Sequence, residues 1–318
     1  MSEIKLSYVI TTFNKLLYLK EVMRLLLQNI QADEEIVIAD GGSTDGTKEY
    51  LQKLYEEGLI HQFISEKDSG EAHGYNKTFF MARGELIKII TDDDVFNYDA
   101  VRRMKEFMLI NHELAAMTGN IISVNTMQSS LYLEFRKSYE VWFRRWINND
   151  MASCFFSCLP LMIRKNKLSL IGLLDTSYKH VDLEFSVRLT ALQMNLAFYT
   201  DIVAIGLVNP QSISASAEAG KLIAVAQKRL NGNYNFIDER GIKDIYSPYA
   251  KKVIDKIPVI RNIANRLKLF SIRTEFYPEH DIVIEKDIHL NQGSPKVFFE
   301  YFENKLQHMH QEKIFLMR

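Results

Sequence analysis

Only two cysteines occur in the chain, Cys154 and Cys158, four residues apart in "CFFSC". Two thiols make neither a zinc centre nor a disulfide framework, so their expected role is buried packing, on one face if the segment is helical. No apolar run approaches the length that spans a bilayer, and Met1 to Lys5 leads straight into a strand-like segment rather than a signal peptide. A cytoplasmic location is the expectation. Charge of one sign is also lacking: the formal net charge is −1, which argues against a protein built to hold nucleic acid. No G-x-G-x-x-G follows the first strand-like segment, which speaks against a nicotinamide dehydrogenase. The same place, "VITTFN", lacks the paired aspartates of a haloacid-dehalogenase-like phosphohydrolase. Internal repeats and low-complexity segments are missing too.

What is present is ample for one large core or two smaller ones: 318 residues, 47% hydrophobic and 25% charged. "LSYVI" (Leu6 to Ile10) reads as a strand, after which Leu19, Val22, Met23, Leu26, Leu27 and Ile30 recur at helical spacing. "EIVIA", a helix from about Thr47 to Glu57, "LIHQFIS", a helix from about Glu71 to Ala82 and "ELIKII" continue the alternation. Strand and helix alternating at this spacing predict right-handed crossovers and a mainly parallel sheet covered on both faces. Ligands bind beyond the carboxyl ends of such strands. The polar clusters all fall there: "TTFN", "DGGSTDGT", "SEKDSG" and "TDDD". From about Ser212 the pattern turns helical and charged until "DIVIE" (Asp281 to Glu285), which sets a boundary near residue 215.

Two clusters carry chemistry. In "DGGSTDGT" the paired glycines permit positive φ and a close backbone approach, while Ser43, Thr44 and Asp45 can cap the next helix. Asp40 ends a buried strand at the rim, where a carboxylate can accept the N–H of a pyrimidine ring. In "KIITDDDVF" three carboxylates stand together at the end of a core strand, which is unfavourable unless water, a metal or cationic partners offset the repulsion. Alternate side chains of an extended segment point to opposite sides, so one or two would coordinate an ion while another binds a sugar hydroxyl. Mg²⁺ and Mn²⁺ suit such a set, sharing few carboxylates with several phosphate oxygens.

The stretches "SYVITTFNK", "IVIADGGSTDGT", "ISEKDSGEAHGYNK" and "ARGELIKIITDDD", in this order and spacing, resemble the inverting glycosyltransferases of family 2. The resemblance is strong over about residues 5–110 and weaker to about 214. It implies the GT-A fold, an α/β Rossmann-like sheet flanked by helices. Residues 1–215 would be the catalytic domain, with a nucleotide-sugar half to about 110 and an acceptor half beyond, and 216–318 a mostly helical extension. It further implies a nucleotide diphosphate sugar as donor, a UDP-sugar by preference, with Mn²⁺ or Mg²⁺ and a carbohydrate or lipid-linked acceptor in surface polysaccharide or glycolipid assembly. The donor-binding residues carried over are Thr11, Thr12 and Asp40, with Asn14, Gly42 and Ser43 in the same loops. Asp92 is the ribose candidate, and Asp93 and Asp94 are the metal ligands, Thr91 standing where the family often has the first acid. Lys77 and Arg83 lie in the segment that approaches the donor. A nucleotide-sugar-binding relative without transferase activity and a metal-dependent phosphohydrolase are the alternatives.

Further on, "SYKHVDLEFSVRL" (Ser177 to Leu189) resembles the family's second acidic motif, with Val181 in place of the usual glutamate and Asp182 as the implied catalytic base. At helical spacing Asp182 shares a stripe with Phe185, Leu189 and Leu192 and faces inward. Glu184 pairs with Arg188 at i,i+4 and reads as a surface salt bridge. In "VNPQSIS" Asn209 stands where family members often carry a histidine, which weakens metal binding by that loop. Between Lys251 and Arg273 seven basic residues face one acid, and Ile260, Ile263, Ala264, Leu267 and Phe270 follow helical spacing. Such a helix rests on anionic lipid at the inner membrane face or packs on the catalytic domain.

Overall fold

The computed structural model describes residues 3–127, 131–212, 219–234, 282–285, 295–309 and 313–318. Four βα steps open it: β1 (Leu6–Thr12), α1 (Leu16–Asn29), β2 (Glu34–Asp40), α2 (Thr47–Glu56), β3 (Gln62–Ser65), α3 (Glu71–Met81) and β4 (Leu86–Ile90). These strands are parallel in the order β3-β2-β1-β4. β1 and β2 are buried along their whole length because helices cover both faces, which is why they read as continuous apolar runs. The register sets Thr12 opposite Asp40 and Asp40 opposite Ser65, with Ile90 ending β4 beside Ile10. The four polar loops therefore leave from one rim.

The second half is mixed rather than parallel. It comprises β5 (Val95–Phe96), α4 (Tyr98–Ile110), β6 (Ala116–Asn125), β7 (Leu131–Phe135), α5 (Lys137–Ile147), β8 (Met162–Arg164), α6 (Leu168–Ile171), α7 (Val181–Ala191) and β9 (Leu196–Val208). β8 runs antiparallel to β4 and β6, and β7 antiparallel to β6, while the long β9 lies parallel to β6 and antiparallel to β5. The regular βα alternation ends at β4, and with it the reason for a wholly parallel sheet.

The boundary expected near residue 215 does not separate a second unit among the described residues. Beyond α8 (Ala219–Tyr234), β10 (Ile282–Glu285) pairs with β7 and β11 (Phe315–Met317) with β9, both in the one sheet. Between them α9 (Pro295–His308) sends Phe298, Phe299, Phe302 and Leu306 from one face into the main core. Phe315 stacks between Phe107 and Tyr199, at centroid distances of 4.0 and 4.5 Å. The strand signal read at "DIVIE" is β10, whereas the three residues of β11, flanked by charge, carry too little periodicity to be read. The "CFFSC" segment is not helical, although both thiols are free and buried as expected. Residues 251–273, the expected membrane-facing helix, lie outside the described residues.

Candidate active site

A cavity of about 590 Å³ opens at the carboxyl rim of the parallel strands. Thr11, Thr12 and Phe13 line it, the last 57% exposed despite being a large aromatic. Thr11 meets α3 at Gly74, where any Cβ would lie only 1.8 Å from its hydroxyl oxygen. Glycine at 74 is thus what lets α3 close against β1.

The loops after β1 and β2 are woven together by side chains. Asn14, at φ 52°, donates its backbone N–H to the Ser43 hydroxyl and accepts the Thr44 N–H at 2.8 Å. Asp45 accepts the N–H of Leu16 at 2.9 Å and the Thr47 hydroxyl at 2.6 Å, capping α1 and α2 at once. Asp40 is buried, receiving the Ser43 N–H, the Ser43 hydroxyl and, at 2.6 Å, the Ser65 hydroxyl. Gly42 turns at φ 85°, with the backbone of Lys67 only 3.3 Å from a would-be Cβ. Asn14, Gly42, Ser43 and Asp40 shape the wall rather than line the cavity.

The three aspartates do line it, and the fold gives each a different environment. Asp94 is committed to the protein: one oxygen accepts the Thr91 hydroxyl and the other the Leu207 N–H, both at 2.6 Å. Burial and the charge of Asp93 push it up to about 8 in spite of those donors, so its expected metal role meets a carboxyl already filled. Asp93 accepts the Asn209 amide at 2.8 Å and the Lys15 ammonium on the same oxygen. Asp92 lies 3.6 Å from Lys15, and burial, offset in part by that cation, raises it to about 6. Burial alone would lower Lys15, but Asp92 and Asp93 outweigh it and hold the ammonium well above its ordinary value. The repulsion among the acids is met here by a lysine.

Whether a divalent ion fits can be judged from the oxygens that remain. The second oxygen of Asp93, with Asp92 beside it, supplies one or two hard ligands, the number Mg²⁺ or Mn²⁺ takes from protein when phosphates complete the shell. Among the described residues no three side chains converge as a self-sufficient metal site. The set fits an ion that arrives with a diphosphate.

Asp182, in the first turn of α7, lines the same cavity, as do Lys179 and His180 just before it. Asp182 is half-buried on the stripe of Phe185 and Leu189, but Leu192, which the sequence placed on the same stripe, is 49% exposed at the helix end, and Glu184 is not on a surface. It is buried, bound to Arg188 at 2.8 Å and to the Tyr234 hydroxyl at 2.9 Å. α7 is covered on two sides: Phe185 and Leu189 enter the main core, while Leu183 and Val187 pack with Ala226 and Leu230 of α8. Arg188 in turn donates to the carbonyls of Ile171 and Leu173, fixing the segment that leads to α7.

Two expected donor contacts stand elsewhere. Arg83 binds Glu35 at the amino ends of the strands, the edge opposite the cavity, because the chain has already passed along α3 when it reaches residue 83. Lys77 pairs with Glu66 at 3.0 Å outside the cavity lining. In return the structure brings in Phe13, Lys15 and Glu71, which sequence reasoning passed over. All three adjoin rim loops, so position alone could have flagged them.

The family model described as Glycosyl transferase family 2 matches residues 7–168, just over half of the chain. A curated relative from Campylobacter jejuni, "GalNAc(5)-diNAcBac-PP-undecaprenol beta-1,3-glucosyltransferase", is 25% identical over 170 residues, which are 51% of this chain and 54% of that protein. The chain spans about half or less of the length of the curated relatives it matches first. Among solved structures, S. aureus TarS 1-349 in complex with UDP-GlcNAc aligns at a TM-score of 0.51 and 15% identity, over 74% of this chain and 69% of that one. The mannosyltransferase PcManGT from Pyrobaculum calidifontis, in complex with GDP-Man and Mn2+, aligns at 0.51 and 14%, over 85% and 88%. These likenesses establish the GT-A fold.

Proposed function

The chain belongs to glycosyl transferase family 2, and we propose that it is an inverting enzyme that moves a sugar from a nucleoside diphosphate, UDP by preference, to an acceptor hydroxyl. The observation that carries the reading is that one cavity at the carboxyl rim gathers Thr11, Thr12 and Phe13, Lys15 with Asp92 and Asp93, and Asp182. Those groups suit a base and ribose, a diphosphate and an acceptor. The exposed ring of Phe13 offers the base a stacking face. Lys15 brings positive charge to where the diphosphate would lie.

In this reading the acceptor hydroxyl attacks the anomeric carbon from the side of Asp182, which takes its proton. The bond from that carbon to the diphosphate oxygen breaks on the opposite face, and the electron pair leaves with the nucleotide. Asp93, with Asp92 beside it, would hold Mn²⁺ or Mg²⁺, a Lewis acid that offsets the charge gathering on the diphosphate. Support for a nucleotide sugar comes from the ligands of the two structural neighbours, UDP-GlcNAc and GDP-Man with Mn2+. The undecaprenol-linked acceptor in the name of the Campylobacter relative supports a lipid-linked saccharide acceptor here, met at the cytoplasmic face of the membrane. Among the described residues no helix is long and apolar enough to cross a membrane.

Thermal denaturation against a panel of nucleoside diphosphates and their sugars, with Mn²⁺, tests the donor class. A ligand present at about a hundredfold over its dissociation constant adds about 2.7 kcal/mol to the folded state. UDP and UDP-sugars are expected to raise the midpoint most. Indifference to every nucleotide would refute the function.

Asp40 bears on the base. Its carboxylate lies behind the cavity wall and is taken up by the Ser43 N–H, the Ser43 hydroxyl and the Ser65 hydroxyl, so it acts on the base through the loop it holds. Asp40→Asn is expected to weaken UDP binding by about 1–3 kcal/mol in calorimetry. Stronger binding of purine nucleotides by the unaltered protein would reassign the base.

A further inference from the structure

Glu71 is used by none of the steps above. It is the first residue of α3, lines the cavity and is half-buried. Among the described residues its carboxyl has no hydrogen-bond or ion-pair partner. Burial and the charges of Asp182, Asp92 and Asp93, in that order, push it up to about 8. It therefore stands in the field of both the diphosphate end and the proposed base. Its place is fixed from two directions. Asn76, later in the same helix, donates to the Leu174 carbonyl at 2.8 Å and accepts the Leu174 N–H at 2.9 Å, clamping α3 to the segment that leads to Asp182. The Tyr75 hydroxyl binds the Ile90 carbonyl at 3.1 Å, clamping α3 to the strand that leads to the aspartates.

We propose that Glu71 is the residue that recognises the transferred sugar, accepting hydrogen bonds from hydroxyls of a neutral hexose. The inference rests on the nucleotide-sugar reading: in an inverting transfer the sugar lies between the diphosphate and the base, and Glu71 lines the same cavity as Asp92 and Asp182. The diphosphate end is already served by Lys15, whose ammonium is held by Asp92 and Asp93, and among the described residues no side chain hydrogen-bonds or ion-pairs with the Glu71 carboxyl. Hydroxyl groups are the neutral donors that satisfy an unpartnered carboxyl, and adjacent hydroxyls of a pyranose can meet its two oxygens together. A hexuronate would instead set a carboxylate among Glu71, Asp92 and Asp182, so hexuronate donors are excluded from this site.

The test is calorimetry on the full chain with Mn²⁺, using the nucleoside diphosphate that the unaltered protein binds best, its hexose conjugates and its hexuronate conjugate. Glu71→Leu and the isosteric Glu71→Gln are compared with the unaltered chain. In Glu71→Leu the preferred hexose conjugate is expected to lose about tenfold or more in affinity, as when a hydrogen-bonded partner is removed, while the plain diphosphate stays within about twofold. Glu71→Gln, which keeps one acceptor oxygen, should lose less and should narrow the gap between hexose and hexuronate. Retained diphosphate binding shows that the variants are folded. Unchanged hexose binding in both variants overturns the assignment to the sugar, and so does lost turnover with unaltered hexose affinity, which would move Glu71 to the acceptor step. Failure of the unaltered chain to bind any nucleoside diphosphate is a different result: it removes the nucleotide-sugar reading itself, and this inference with it.

Discussion

Asp182→Asn is expected to lower sugar transfer at least about a hundredfold, the usual scale for losing a general base, while donor affinity stays as it was. The asparagine keeps the size of the side chain and its place in the first turn of α7 but cannot take a proton. Asp182 enters the cavity from α7 and not from the acidic loop, so its loss should fall on the chemical step and not on nucleotide binding. Glu184→Gln makes the contrast. Glu184 holds Arg188 and the Tyr234 hydroxyl, away from the cavity lining, so its replacement should cost about 1–3 kcal/mol of stability, the penalty for a disrupted buried polar contact. Turnover per folded molecule should be preserved. Single-turnover kinetics with calorimetry and thermal denaturation of both variants separate the two roles. Normal transfer by Asp182→Asn would require another base.

The other large effect concerns the acidic loop. Donor binding is expected to tighten at least about tenfold, or 1.4 kcal/mol, when Mn²⁺ replaces EDTA, and Asp93→Ala should abolish that difference. The physical reason is charge. Asp92 and Asp93 repel a diphosphate, and Lys15 alone, already shared between them, offsets only part of that repulsion. Asp93→Asn serves as a second variant, since its amide oxygen can still accept from Asn209. Equal nucleotide affinity in Mn²⁺ and EDTA would mean that Lys15 suffices and that the loop works without an ion.

The donor half was readable because its signals are local. Buried parallel strands appear as unbroken apolar runs, the loops between them as Gly, Ser, Thr and Asp, and the register carries those loops to one rim without further information. Side-chain direction was not readable in the same way. Asn14 and Ser43 sit in loops at the site yet spend their side chains on the loops themselves, Ser43 accepting the Asn14 N–H and Asn14 the Thr44 N–H, and Arg83, six residues after Lys77, emerges at the wrong edge because α3 has run the depth of the sheet. Glu184 was misjudged because the i,i+4 pairing says nothing of what lies outside it; α8 and Tyr234 cover the pair from more than forty residues away. The same distance in sequence hid β11 and α9. Glu71 was passed over because a lone acid opening a helix looks like a favourable charge at a helix start, and only the cavity shows what it faces.

The fastening of Asp94 bears on the thermodynamics of association. With Thr91 on one oxygen and the Leu207 amide on the other, and with Asn209 reaching back to Asp93, the acidic loop and the end of β9 form a single body before any ligand arrives. Ordering a side chain on binding costs about 0.5–1.5 kcal/mol, and here that ordering has been completed during folding. Discrimination between one nucleotide and another at this end of the cavity then reflects the contacts they make, with little conformational entropy left for either to remove.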